Sequence, residues 1–101
     1  MTTWMIYLSE CIGMICESHI TFERIHPFAD GNGRVGRLII NYLLIKNAIA
    51  PLIIEKDEKE RYIYFLATQE TEGFTKFVEQ KVETEQKRLD TFKINKQKTE
   101  N

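Results

Sequence analysis

Apolar residues recur at helical spacing along most of this chain. Met5, Leu8, Ile12, Ile15, His19 and Phe22 follow one another at alternating steps of three and four, a single stripe that predicts a helix from Thr3 to Glu23. His19 lies on that stripe with no acid or nucleophile pattern around it, so it reads as a core or boundary histidine. Trp4 and Tyr7 read as packing residues. A second helix, Arg34 to Ala48, carries Val35, Leu38, Ile39, Ile40, Leu43, Leu44 and Ile45, apolar almost all round, which places it at the centre of a bundle. Gly36 in its first turn weakens that helix and implies close approach of another backbone or a ligand. Pro51 stops it, and Leu52 to Ile54 is a short extended link. A third helix runs from Asp57, its expected cap, to Glu70, with Tyr62, Ile63, Phe65 and Leu66 as its packing face. Gly73 is expected to break the chain. A fourth helix, Phe74 to Phe92, then packs through Phe74, Phe77, Val78, Val82 and Leu89. The fold class is all-α: a small helical bundle over residues 1–92, followed by a polar, lysine-rich stretch, 93–101, expected to be disordered.

Composition narrows the function classes. A chain of 101 residues is at most one small domain. A net charge of −1 gives no strong attraction to nucleic acid or a membrane surface, and neither is expected as a partner. There is no apolar run of membrane-spanning length and no charged-then-apolar leader, so a cytoplasmic location is expected. Cys11 and Cys16, five apart on a helix, point in different directions and read as reduced, packed thiols; no Cys/His spacing suits zinc.

The chemistry concentrates in Ile25 to Arg37, IHPFADGNGRVGR. Gly31, Asn32 and Gly33 can adopt positive φ and aim successive N–H groups into one concavity, a nest for an anion. A helix follows, whose first N–H groups lack internal partners and carry partial positive charge. Arg34 and Arg37 sit in and just after its first turn on one face, where local electrostatics disfavours cations unless something strongly negative lies in front. A di- or triphosphate supplies that, and guanidinium forks match phosphate oxygens. Asp30 can cap the helix, or hold Mg²⁺ beside the phosphates. Pro27 keeps His26 out of the upstream helix and on a rigid loop, where a neutral imidazole can take a proton from a hydroxyl. Phe28 is expected to anchor that loop into the core.

Gly31 to Gly36 also spells G-x-G-x-x-G, the dinucleotide fingerprint, with an apolar run ending in Glu55 downstream. That fingerprint needs a strand directly before its first glycine. A helical segment and a proline stand there instead, so the nucleotide-fold reading fails on context.

The same residues resemble the Fic family of the Fic/Doc superfamily, whose motif is HPF-x-(D/E)-GNGR-xx-R. His26, Pro27, Phe28, Asp30, Gly31, Asn32, Gly33, Arg34 and Arg37 meet every defined position. The lead-in Phe22 to His26 and the stretch Asn41 to Tyr62 are similar as well. The resemblance implies adenylylation: transfer of AMP from ATP to a Ser, Thr or Tyr hydroxyl of a target protein, with pyrophosphate released. His26 is then the catalytic base, Asp30 the Mg²⁺ ligand, and Gly31, Asn32, Gly33, Arg34 and Arg37 bind the phosphates. Ile63, Leu66 and Glu70, on one face of the third helix, would line the adenine pocket. ATP, Mg²⁺ and a hydroxyl-bearing protein are the implied substrates and cofactor, and an inhibitory or antitoxin-like partner is implied as well.

Two departures from the family matter. The family's inhibitory pattern, (S/T)xxxE(G/N), is met by Thr68 to Gly73, but at a turn between two helices, which argues for coincidence. The family's upstream β-hairpin flap has no counterpart in the helix-length sequence before His26. A second reading follows: a truncated or degenerate module that binds ATP without efficient transfer.

Overall fold

A computed structural model describes residues 3–25 and 31–100, with side chains over 6–25, 31 and 33–93. The described chain forms α1 (Thr3–Ile25), α2 (Asn32–Lys46), one 3-10 turn (Lys56–Glu58), α3 (Lys59–Thr68) and α4 (Thr71–Glu100), with no strand among the described residues. This is the all-α bundle that the periodicity predicts.

The central helix is α1. Its stripe buries Ile12, Ile15, Cys16, His19 and Ile20, with Leu8 and Phe22 half-buried beside them. It is the element against which α2, α3 and α4 all pack. The expectation that α2 would be central is corrected. That helix buries Ile40 and Leu44 but leaves Leu38 67% and Tyr42 63% exposed, with Ile39 and Ile45 also at the surface. An apolar circumference says that a helix could be covered on every side, not which sides meet a neighbour. Among the described helices, α2 packs on α1. Gly36 makes that approach close. A Cβ there would collide with the Glu23 carboxylate and lie 3.2 Å from His19 Cε1.

On the other side of α1, α3 and α4 close the core with aromatic rings. Phe74 is fully buried, and its ring lies 6.2 Å from Phe65, 6.4 Å from Phe77 and 5.9 Å from Tyr62, centroid to centroid. Burying one such side chain is worth about 1.5–3 kcal/mol, so this knot is a main source of cohesion. Val78 and Val82 extend the face, whereas Leu89 is 38% exposed and Tyr7 is exposed on α1, unlike the packing roles expected of both.

The helix ends also differ from the pattern. Glu55, not Asp57, makes the cap before α3, through a reciprocal box with Glu58 whose carboxylate takes the Glu55 N–H at 3.0 Å. Lys81 from α4 then clamps Glu58 at 2.6 Å. The α3–α4 corner is made by Gln69 in the left-handed region (φ 55°), with Glu70 N–H donating to the Phe65 carbonyl and the Glu70 carbonyl taking the first bond of α4 from Phe74. Gly73 therefore breaks nothing. It lies inside α4, where a Cβ would strike the Glu70 carboxylate and sit 2.9 Å from the Phe65 ring. Its smallness lets the corner close. At the other end α4 runs on to Glu100, past the Phe92 end that the pattern predicts; residues 93–100 contain neither Gly nor Pro to stop it.

Candidate functional site

The local chain around α2 sets up the site. Gly31 stands at the N-cap with φ 75°, and the next residues, Asn32 and Gly33, are already helical. The expected three-residue nest is thus one left-handed glycine followed by a helix start. Val35 N–H donates to the Gly31 carbonyl at 3.0 Å, the first bond of the helix. The N–H groups of Asn32, Gly33 and Arg34 have no acceptor within α2, so the anion-attracting end is the helix mouth itself. There is no acidic residue in the first turn to neutralise it.

Both arginines fold back over this mouth. Arg34 Nη2 lies 3.9 Å from where a Gly31 Cβ would stand, and Arg37 Nη1 lies 3.2 Å from the equivalent point on Gly33. The two guanidinium groups and the start of the helix thus share one corner of the molecule. The other motif residues, His26, Pro27, Phe28, Ala29 and Asp30, lie outside the described residues, so the base and metal-ligand assignments are not addressed by the geometry.

Beside Arg37 opens a cleft of about 400 Å³ lined by Ile40, Asn41, Leu52, Ile54, Lys59, Tyr62 and Ile63. One wall is the link after α2. The Asn41 side chain holds it as a backbone amide would: Oδ1 accepts from Leu52 N–H at 2.8 Å and Nδ2 donates to the Leu52 carbonyl at 3.2 Å. The opposite wall is α3. Of the residues assigned to an adenine pocket, Ile63 is in this wall and 51% exposed. Leu66 is turned to the core and Glu70 sits at the α3–α4 corner, and neither lines the cleft. Arg37 and Lys59 make the cleft cationic, while Ile54 and Ile63 give it an apolar side.

Beneath the mouth lies a buried polar group. His19, 3% exposed, forms a triangle of rings with Tyr62 and Phe74, 5.9 and 5.7 Å away, and its Nε2 is 2.7 Å from the Tyr62 hydroxyl. Burial drives its pKa down to about 4, helped by the Arg37 charge and opposed by a hydrogen bond to the Gly36 carbonyl. The ring is therefore neutral at physiological pH. Burial also pushes the Tyr62 hydroxyl up to about 12, with the Glu23 carboxylate adding to the rise and Arg37, its hydrogen-bonding neighbour, opposing it. Cys16, packed against Thr75, is likewise pushed by burial to about 12 and stays a thiol.

Sequence reasoning missed Asn41, Lys59 and Tyr62 as cleft residues. Asn41 had a signal: a lone amide on an apolar helix. Tyr62 was read as packing alone, and Lys59 stood among several charges with nothing to single it out. Among the described residues no group of three or more His, Cys, Asp or Glu could hold a metal by itself. In the sequence Asp30 directly precedes this helix, and a lone carboxylate is the kind of donor that Mg²⁺ ordinarily takes, completed by substrate phosphates.

No described helix is long and apolar enough to cross a membrane. A family model described as Fic/DOC family matches residues 1–44. The protein adenylyltransferase Fic of Drosophila virilis is 36% identical over 75 residues, covering 74% of this chain and 16% of its own. The Drosophila melanogaster protein of the same name is also 36% identical over 75 residues, covering 74% and 15%. The chain thus spans about one-sixth of the length of the curated relatives it matches. No solved structure matches it.

Proposed function

Because this chain belongs to the Fic/DOC family, we propose that it is a nucleotidyltransferase that adenylylates proteins, moving AMP from ATP to a Ser, Thr or Tyr hydroxyl. The observation that carries this reading is the α2 mouth: two guanidinium groups folded over an N-terminus with no acidic residue of its own. A polyphosphate suits these two guanidinium groups better than surface carboxylates do, since an exposed arginine–carboxylate pair gains little in water. In the reaction, His26 takes the proton of the target hydroxyl. The freed oxygen bonds to the α-phosphorus, and the bond to the β-phosphate bridge breaks, releasing pyrophosphate. The N–H groups of Asn32, Gly33 and Arg34 and the Arg34 side chain bind phosphate oxygens, with Gly31 setting the turn and Arg37 reaching the γ-phosphate. Such transfers are driven by positioning and charge stabilisation. Asp30 would hold Mg²⁺, which supplies charge neutralisation to the phosphates when bound. The cleft beside Arg37 offers the adenosine a wall at Ile63, while Leu66 and Glu70 would contribute only through the shape of α3.

In this reading residues 1–92 make up the functional helical domain and 93–101 add nothing to catalysis. The protein works in the cytoplasm on another protein, away from nucleic acid and membranes. An inhibitory or antitoxin-like partner would restrain it, since Glu72, in the fortuitous inhibitory pattern, pairs on the surface with Lys76 at 3.6 Å. One other reading is an ATP-binding module without efficient transfer. Incubation with α-labelled ATP separates the two. Label on protein that disappears in His26→Ala supports the transferase. ATP binding with no label on the chain or on added proteins supports the module.

A further inference from the structure

The last helix continues past its own buried face. Val78 and Val82 of α4 are buried, yet every residue from Gln86 to Lys93 is exposed, and the backbone stays helical to Glu100. At the rise of an α-helix this exposed arm is about 20 Å long. It is not polar all round. Leu89, 38% exposed, comes seven residues after Val82 and so shares its face, and Phe92, 65% exposed, follows three residues later. Where the arm begins, a groove of about 610 Å³ opens between α1, the turn after α2 and α4. Leu8, Ile12, Ile49 and Val82 give it an apolar side, and Glu79 and Glu83 stand on its α4 wall. One helix thus carries an apolar groove on one stretch and an uncovered apolar ridge on the next.

Charge divides the same helix in the same way. Glu79, Glu83 and Glu85 precede Gln86, and the one base among them, Lys81, is held by Glu58 at 2.6 Å. After Gln86 come Lys87, Arg88, Lys93, Lys96 and Lys98, with Asp90 the one acid among them. Lys87 and Arg88 reach back to Glu83 and Glu85 at 3.4 and 3.6 Å, but exposed pairs within a helix gain little and are readily exchanged. A helix that is acidic beside its groove and basic along its ridge is complementary to itself reversed. Glu79 and Lys93 lie seven residues to either side of Gln86, two turns away on its face, so an antiparallel copy centred on Gln86 sets each opposite the other's counterpart. The same register lays Leu89 beside the second copy's Val82.

We propose that the chain forms a two-fold symmetric dimer through α4, in which Leu89 and Phe92 of each copy cover the groove of the other and Lys93 pairs across the interface with Glu79. The dimer is independent of the nucleotide reading, because the groove adjoins the C-terminal end of α2, whereas Arg34 and Arg37 fold over its start. Two ridges in two grooves suit an interface at the low end of the stable range, on the order of 1,200 Å² in all, and hence a reversible dimer with a Kd on the order of 10 μM.

Sedimentation velocity of the full chain, from about 1 to about 300 μM, is the test. The wild type should pass from monomer to dimer across that range, at lower concentration in low salt than in high salt. Phe92→Glu should weaken the dimer about a hundredfold, with the helical circular dichroism of the monomer unchanged because the ring is exposed. Lys93→Glu alone and Glu79→Lys alone should each stay monomeric where the wild type is dimeric, since each sets like charges opposite one another twice. An equimolar mixture of the two should dimerise again, because both cross-pairs in the mixed dimer are then opposite in sign. A wild-type chain that is monomeric throughout, leaving the groove to some other chain, overturns the proposal. So does a dimer that Phe92→Glu leaves intact, and so does a mixture of the two charge variants that stays monomeric.

Discussion

The two ends of α2 obey opposite rules. At its C-terminus the helix finishes itself. Ala48 N–H donates to the Ile45 carbonyl at 3.0 Å and Ile49 N–H to the Leu44 carbonyl at 2.8 Å, the paired bonds of a Schellman closure. The Asn47 amide adds a bond to the Leu43 carbonyl at 2.7 Å, Lys46 complements the dipole, and Ile49 tucks into the core. At its N-terminus, among the described residues, almost every such device is missing. Gly31 offers no side-chain cap, the first turn has no acid, and two cations stand where the dipole is already positive. One end is closed by its own residues; at the other, the described residues supply no side-chain cap and no acid. Local rules that hold at one terminus and fail at the other, on the same helix, are what the proposed anion site would require.

The largest effect that could break this contrast comes from the arginines. Arg34→Ala with Arg37→Ala should weaken ATP about a thousandfold, since two charge-assisted contacts are lost. Folding stability, read by urea melts, should hold or rise by up to about 1 kcal/mol as unfavourable cations leave the helix start. A fall of more than that would mean that the N-terminal end, like the other, is built for stability.

Next comes acid. Under the N-terminal end lies His19; under the C-terminal end lie Leu44 and Ile49. Burial holds the His19 pKa at about 4 in the folded chain, against an ordinary value of 6.5. Above pH 6.5 the ring is neutral in both states and costs nothing. As pH falls from 6.5 towards 4 the unfolded chain takes up a proton that the folded chain refuses, so stability drops, by about 3 kcal/mol in all, and then levels off. Glu23, Arg37 and Tyr62 surround the ring and set the details, but the sign follows from burial. Urea melts between pH 7.5 and 4 should show this loss, and His19→Gln should lack that part of it. A wild-type profile flat across the window would mean that the ring is not held neutral.

This contrast was only half legible in the sequence. The stripe on α1 placed His19 in the core, and the motif's Arg34 and Arg37 do gather at the start of α2. The α2 C-terminus was invisible, because Ala48 gives no hint of the left-handed backbone it adopts, and the pattern ran the helix through it. The same blindness misplaced the α3–α4 corner: Gln69 turns the chain, while the glycine nearby answers to the Phe65 ring, a contact from another helix. Tyr62 and Asn41 joined the cleft only once α3 and the link after α2 folded against Arg37. Periodicity reports which face of a helix is apolar. It does not report what lies opposite, and for that reason α2 was taken for the centre that α1 occupies.

The smallest effect is the sharpest comparison, because it exchanges the two left-handed residues that flank α2. Ala48 holds φ at 60° with a Cβ in place, whereas Gly31 holds 75° without one. Relieving the first should stabilise the chain: Ala48→Gly removes a left-handed penalty of about 1–2 kcal/mol and adds unfolded-state entropy worth about 0.4–1 kcal/mol, a net gain near 0.5–1 kcal/mol. Imposing the penalty at the other end, Gly31→Ala should destabilise by about 1–2 kcal/mol. ATP affinity separates them further. Ala48→Gly should leave it unchanged, since that end lies away from the proposed site, whereas Gly31→Ala should lower it several-fold by shifting the helix start on which the arginines stand. Paired thermal melts and ATP titrations of the two variants decide the matter. If Ala48→Gly weakens ATP as much as Gly31→Ala does, α2 responds as one rigid rod, and the division of labour between its ends is lost.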